Sequence, residues 1–98
     1  MKYKIVLKQE ADDDLCSLSQ TQKILIYKQF EKLKTSPQLG IALGKKLGYD
    51  LTGYRKMYAD KKQLRIVYKI VDDKIIVEII AIGKRNDMEV YQKASNRL

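Results

Sequence analysis

Along the chain the hydrophobic and polar positions change period, and the changes mark out the elements. Residues 3–8 alternate, with Tyr3, Ile5 and Leu7 set against Lys4, Val6 and Lys8, which predicts a first strand. Over residues 10–18 the spacing becomes helical, through Ala11, Leu15 and Leu18. Asp12, Asp13 and Asp14 fall in the first turn of that segment, where the helix dipole favours negative charge. Ser19 is suited to cap a second helix running to about Ser36, with Ile26, Phe30 and Leu33 as its apolar stripe and Pro37 as its stop. The two helices are close enough in sequence to pair as a hairpin.

Residues 39–53 hold four of the five glycines, Gly40, Gly44, Gly48 and Gly53, and read as an irregular loop with one short turn. Strands are expected at about 54–59, 63–71 and 74–82, joined by turns at Asp60-Lys61-Lys62 and Asp72-Asp73. The 74–82 run is apolar on both faces except for Glu78, so it belongs in the middle of a sheet. Gly83 ends it, and Asp87 is placed to cap a short helix holding Val90, Tyr91 and Ala94. The expected fold is α+β: an N-terminal strand, a helical hairpin, an antiparallel β-meander and a short C-terminal helix, in one domain spanning residues 1–98.

Composition narrows the partners. Apolar residues make up 45% of the chain, enough for a packed core rather than disorder. The lone Cys16 allows no intrachain disulfide and reads as an inert thiol, which suits a reducing cytoplasm. The N-terminus has no continuous apolar run of signal-peptide type, and no stretch approaches the ~20 apolar residues of a membrane span, so a cytoplasmic location is expected. Net charge is +8 and uneven: residues 1–44 carry seven basic and five acidic residues, and residues 45–98 carry thirteen and seven. Such a field attracts polyanions: nucleic acid, an acidic protein or an anionic surface.

The candidate chemistry lies on the C-terminal strands. On the first of these strands alternation points Arg55 and Met57 one way and Tyr54, Lys56 and Tyr58 the other. Arg55, Arg65 and Arg85 are expected to converge on one concave surface of the sheet, with Tyr91 on the tail that follows. Crowded cations repel one another unless an anion is bound, and a phosphodiester is suited to them. RNA cleavage needs a base for the ribose 2′-hydroxyl, positive charge at phosphorus and an acid for the leaving 5′-oxygen. Arginine supplies the charge but holds its proton too tightly for the other tasks. Tyr91 is a candidate base if nearby cations favour its phenolate, and Lys56 is the candidate acid. The chain has no histidine, so the usual acid–base residue is missing. Cleavage of free RNA is expected to be slow, with a large partner supplying rate by positioning the substrate. Arg65→Ala is expected to cost activity far more than folding.

The stretch "LRIVYKIVDDKIIVEIIAIGKRNDMEVY" resembles the RelE branch of the RelE/ParE toxin superfamily. The likeness is specific from Arg65 to Tyr91, and through residues 1–50 it extends only to the order of elements. It implies a ribosome-dependent mRNA interferase that cuts message in the decoding site by metal-free 2′-hydroxyl attack, with no cofactor. By this resemblance Arg65 and Arg85 stabilise the transition state, and Tyr91 acts as base or stacks on a nucleobase. Arg55, Lys61, Lys62 and Lys84 join as RNA- or phosphate-binding residues. The family has two lysines two residues apart on the preceding strand. Here that stretch reads Arg55-Lys56-Met57, which puts Met57 at the second position and leaves the acid to Lys56, Lys61 or Lys62. The implied partners are ribosome, mRNA and a cognate antitoxin, partly acidic, in a toxin–antitoxin hetero-oligomer. Two other functions suit the same residues: a ParE-like DNA gyrase inhibitor that cleaves nothing, and a non-catalytic binding domain of the same fold.

Overall fold

The computed structural model describes residues 2–46, 48–84 and 89–97. Its elements are β1 (Lys4–Leu7), α1 (Gln9–Cys16), α2 (Gln20–Thr35), β2 (Ile41–Lys46), β3 (Tyr49–Ala59), β4 (Leu64–Val71), β5 (Ile76–Lys84) and α3 (Glu89–Asn96). The strands form a five-stranded sheet in the order β1-β5-β4-β3-β2. All neighbours are antiparallel except β1, which runs parallel to β5. The α+β class, the first strand, the helix pair and the terminal helix are as the sequence predicts. No helix among the described residues is long and apolar enough to cross a membrane.

The helices follow from local chemistry. Ser19 and Gln22 form a capping box, in which the Ser19 hydroxyl accepts from the Gln22 N–H at 3.2 Å and the Gln22 side chain accepts from the Ser19 N–H at 3.4 Å. Ile26, Phe30 and Leu33 are buried as one stripe, and a 3-10 turn opening with Pro37 follows the helix.

The glycine-rich stretch 39–53 is not the irregular loop expected. It forms β2 and the first half of β3, which pair with a register shift between Ala42 and Gly44. Gly44 and Gly53 have φ of +87° and +90°, so these glycines supply the left-handed backbone of a bulged hairpin. Two boundaries also differ. Asp72–Lys74 is a 3-10 turn closed by Ile75 at φ 55°, so β5 starts two residues later than expected, at Ile76. Gly83 does not end β5, because it pairs with Arg65 and the strand continues to Lys84. The Asp87 cap lies outside the described residues.

The sheet carries a core on each face. Helices α1 and α2 cover one face, where Ala11, Leu15, Ile26, Phe30 and Leu33 meet Leu64, Ile66, Tyr68, Val77, Ile79 and Ile82. Helix α3 covers part of the other, where Tyr91 and Ala94 meet Leu51, Val67, Ile80 and Ala81. Ile80 and Ala81 are sequence neighbours on the same face because the β4–β5 register shifts between Val67 and Tyr68. One extra residue in β5 therefore reverses the strand's alternation.

Two polar arrangements tie these layers together. The buried Tyr68 hydroxyl donates to the Pro37 carbonyl at 2.7 Å and accepts from the Gly40 N–H at 2.8 Å, fixing the chain as it leaves α2. A side chain at Gly40 would overlap that hydroxyl and the Lys56 carbonyl oxygen. Where β1 stops, Asp14 takes over the edge of β5 by accepting from the Ile82 N–H at 3.1 Å. Arg97 donates to Asp14 at 2.8 Å and to the Ile80 carbonyl at 2.9 Å, which docks the end of α3. These side chains are only 10% and 14% exposed, so the pair is shielded from water and weakly screened.

Tyr68→Phe should lower stability by about 1–3 kcal/mol, since it strands a buried amide and a buried carbonyl, and thermal unfolding will measure it. Asp14→Ala should cost a similar ~1.5–3 kcal/mol, read by urea denaturation, because it leaves Arg97 and the Ile82 amide without the carboxylate.

Candidate functional site

Strand alternation decides which sequence-predicted residues meet. On β3, Tyr54, Lys56 and Tyr58 face the α3 side, while Met57 packs into the core under α1 and α2. Tyr58 lies directly across from Arg65 on β4, and Arg65 lies across from Gly83 on β5. Gly83 has no side chain, and the guanidinium spreads between two tyrosine rings. Its carbon is 5.5 Å from the Tyr58 centroid and 5.4 Å from the Tyr91 centroid. Arg65 Nη1 also donates to the Tyr91 hydroxyl at 3.3 Å. Such cation–π contacts contribute roughly 0.5–2 kcal/mol each, more as water is excluded.

Lys56 and Lys62 complete the cluster. Lys56 Nζ donates to the Tyr58 hydroxyl at 3.0 Å and lies 5.1 Å from that ring, and Lys62 Nζ lies 5.8 Å from it. Lys62 and the exposed Lys61 sit in a turn whose three consecutive residues, Asp60, Lys61 and Lys62, have φ of 50°, 52° and 72°. Left-handed backbone without glycine is strained, and the tight β3–β4 connection holds both lysines there. On the other face of the sheet, α2 fixes the strand at this point: Gln29 Nε2 donates to the Tyr58 carbonyl.

The electrostatics separate the two partners of the Lys56–Tyr58 pair. The hydrogen bond from Lys56 pulls the Tyr58 phenol below its ordinary value, against a smaller opposing effect of burial, and the charges of Lys56, Arg65 and Lys62 add to the pull. The same hydrogen bond raises Lys56 above the usual ammonium value, and the Tyr91 hydroxyl adds to the effect. Tyr91 itself is 0% exposed, its ring part of the core under α3.

The expected convergence needs correction. Arg55 does not converge with Arg65. It faces the helix side beside Tyr68, and its Nη1 donates to the carbonyls of Gly40 at 2.9 Å and Gln38 at 3.5 Å. Lys84 pairs with the buried Leu64 and lines a pocket with Asp14, Ser17 and Leu18 on the α1 side, away from the tyrosines. Met57 packs against the core on the α1–α2 side, and the residue two positions from Lys56 on its own face is Tyr58. Arg85 lies outside the described residues. Tyr58 was absent from the candidates drawn from sequence, although the alternation that puts it beside Lys56 was visible.

Comparison with known proteins identifies the family. Residues 5–89 match the family model described as ParE toxin of type II toxin-antitoxin system, parDE. The chain belongs to this toxin family, within the RelE/ParE superfamily. It is 26% identical over 101 aligned positions to a RelE-like toxin protein of Escherichia coli, covering 100% of this chain and 99% of that one. A 34-residue stretch is 44% identical to the mRNA interferase toxin RelE of E. coli strain K12, covering 35% of this chain and 36% of that protein. Among solved structures, a free-state arginine-to-alanine double mutant of E. coli RelE superposes with a TM-score of 0.80 at 24% identity, covering 100% of this chain and 99% of that one. The toxin–antitoxin complex RelBE2 of Mycobacterium tuberculosis gives 0.73 at 23% identity, covering 87% and 100%. These likenesses confirm the fold, and the family match makes the chain a toxin of a type II toxin–antitoxin system.

In a spectrophotometric titration of the seven tyrosines, Tyr58→Phe should remove the component that ionises earliest, below the usual phenol range near ~10. Loss of a later component instead would show that Lys56 does not stabilise the phenolate.

Proposed function

We propose that this toxin is an mRNA interferase that cuts message on the ribosome by 2′-hydroxyl attack, using side chains alone. The observation that carries the reading is the Arg65 guanidinium held between the Tyr58 and Tyr91 rings with Lys56 and Lys62 beside it. Arg65 supplies fixed positive charge where the pentavalent phosphorus gains negative charge. Tyr91, by its hydroxyl and its ring, holds Arg65 in place. Lys56, beside Arg65 and Tyr58, is the acid that protonates the leaving 5′-oxygen, an alkoxide more basic than an amine. Arg85, by the resemblance, adds a second transition-state charge, and Lys61 and Lys62 attract the RNA backbone. The one-third-length match to an mRNA interferase supports the same reading.

The proposed partners are the ribosome with its mRNA and a cognate antitoxin, with action in the cytoplasm. The RelBE2 complex is itself a toxin–antitoxin assembly. On this chain an apolar groove of ≈ 320 Å³ between β1 and α2, lined by Ile5, Leu7, Tyr27 and Phe30, supports a protein partner there. The ParE description of the matching family favours a second reading, inhibition of DNA gyrase without cleavage.

Primer extension on translated message with purified ribosomes tests the two. Wild-type protein should cut only ribosome-bound message, and Arg65→Ala should lower the rate by about 10²–10³-fold. Wild-type protein that makes no cuts but blocks gyrase supercoiling would establish the second reading.

A further inference from the structure

The two tyrosines that flank Arg65 differ in what they can do. Tyr91 is 0% exposed, and its hydroxyl accepts from Arg65. Tyr58 is half-buried, and its hydroxyl is in hydrogen-bond contact with Lys56 at 3.0 Å. Its ring is surrounded by Lys56, Lys62 and Arg65 at 5.1, 5.8 and 5.5 Å. A phosphodiester drawn to these cations arrives at Tyr58, whereas Tyr91 lies beneath them.

We infer that Tyr58 is the proton acceptor for the attacking 2′-hydroxyl and that Lys56 is its proton partner, an assignment that rests on the ribonuclease reading above. The reactive form of the pair is Tyr58 phenolate and Lys56 ammonium. Tyr58 takes the 2′-hydroxyl proton as the 2′-oxygen forms its bond to phosphorus. The bond from phosphorus to the 5′-oxygen breaks with its electron pair on oxygen, and Lys56 gives that oxygen a proton. The products are a 2′,3′-cyclic phosphate and a free 5′-hydroxyl, with Tyr58 neutral and Lys56 an amine. Tyr58 then returns its proton to Lys56 through their shared hydrogen bond, which restores both groups without help from solvent. The field at the site shifts the pair toward this form, since the Lys56 hydrogen bond and the surrounding cations stabilise the phenolate while the same bond stabilises the ammonium.

The arrangement also accounts for a chain without histidine. The hydrogen-bonded pair Lys56–Tyr58 occupies one face of β3 at a two-residue spacing. The base is a phenol and the acid an ammonium, two different chemical groups with oppositely shifted proton affinities.

The test is single-turnover cleavage of ribosome-bound message between about pH 6 and 9, with wild type, Tyr58→Phe, Tyr58→His and Tyr91→Phe. Tyr58→Phe keeps the ring under the cations and should slow cleavage by about 10²–10⁴-fold while abolishing the rise of rate with pH. Tyr58→His should recover part of the rate and level off near pH ~6.5, the imidazole range. Retained cleavage in Tyr58→Phe, or a slower rate with the wild-type pH dependence intact at an unchanged melting temperature, overturns the assignment. A loss of pH dependence confined to Tyr91→Phe overturns it also, by giving the base to Tyr91. Wild-type protein that cuts nothing removes the ribonuclease reading and this assignment together, which separates that failure from the others.

Discussion

The α3 side of this molecule depends on one extra residue in β5. Without the register shift, Ile80 and Ala81 would face opposite sides of the sheet. With it, both face α3 and meet Tyr91 and Ala94, while Val77, Ile79 and Ile82 still serve the core under α1 and α2. A strand buried on both faces has no polar surface from which to build a site. The shift allows the small Gly83 to lie across from Arg65, next to an element that brings a tyrosine. Bulges bend and re-aim strands in this way, and they recur beside functional surfaces.

The site that results is an electrostatic compromise. Lys56, Lys62 and Arg65 crowd one phenol, and mutual repulsion at that spacing opposes folding. Aromatic faces offset part of this, since each ring presents negative density to a cation. The turn at residues 60–62 adds backbone strain to hold Lys61 and Lys62 in place. A bound phosphodiester would relieve the repulsion. By contrast the acidic Asp14 is committed to Arg97 and the β5 edge.

What the sequence revealed was what short-range chemistry controls. Ser19, Gln22 and the Ile26–Phe30–Leu33 stripe define α2 without reference to the rest of the chain. The run after Lys74 declared itself a central strand by being apolar on both faces. Gly44, Gly48 and Gly53 misled because glycine punctuates loops and bulged hairpins alike, and only strand pairing tells them apart. Period-two alternation already set Lys56 and Tyr58 on one face and Arg55 and Met57 on the other. The place of Lys84 was not legible at all, because the shift at Ile80 inverts the alternation beyond it, and nothing local announces that shift.

Gly40 gives the structure a vulnerability on the face of the sheet opposite the candidate site. It packs so tightly against the Tyr68 hydroxyl and the Lys56 backbone that no side chain fits there. The strand it abuts presents Lys56 and Tyr58 on its opposite face. A cell that harbours a protein harmful to itself selects for any lesion that disarms it. Among survivors of unchecked expression, codon 40 should therefore be a recurrent site of escape. Such alleles would encode every residue of the cluster unchanged, and a genome reader searching for intact catalytic residues would mistake them for active toxins.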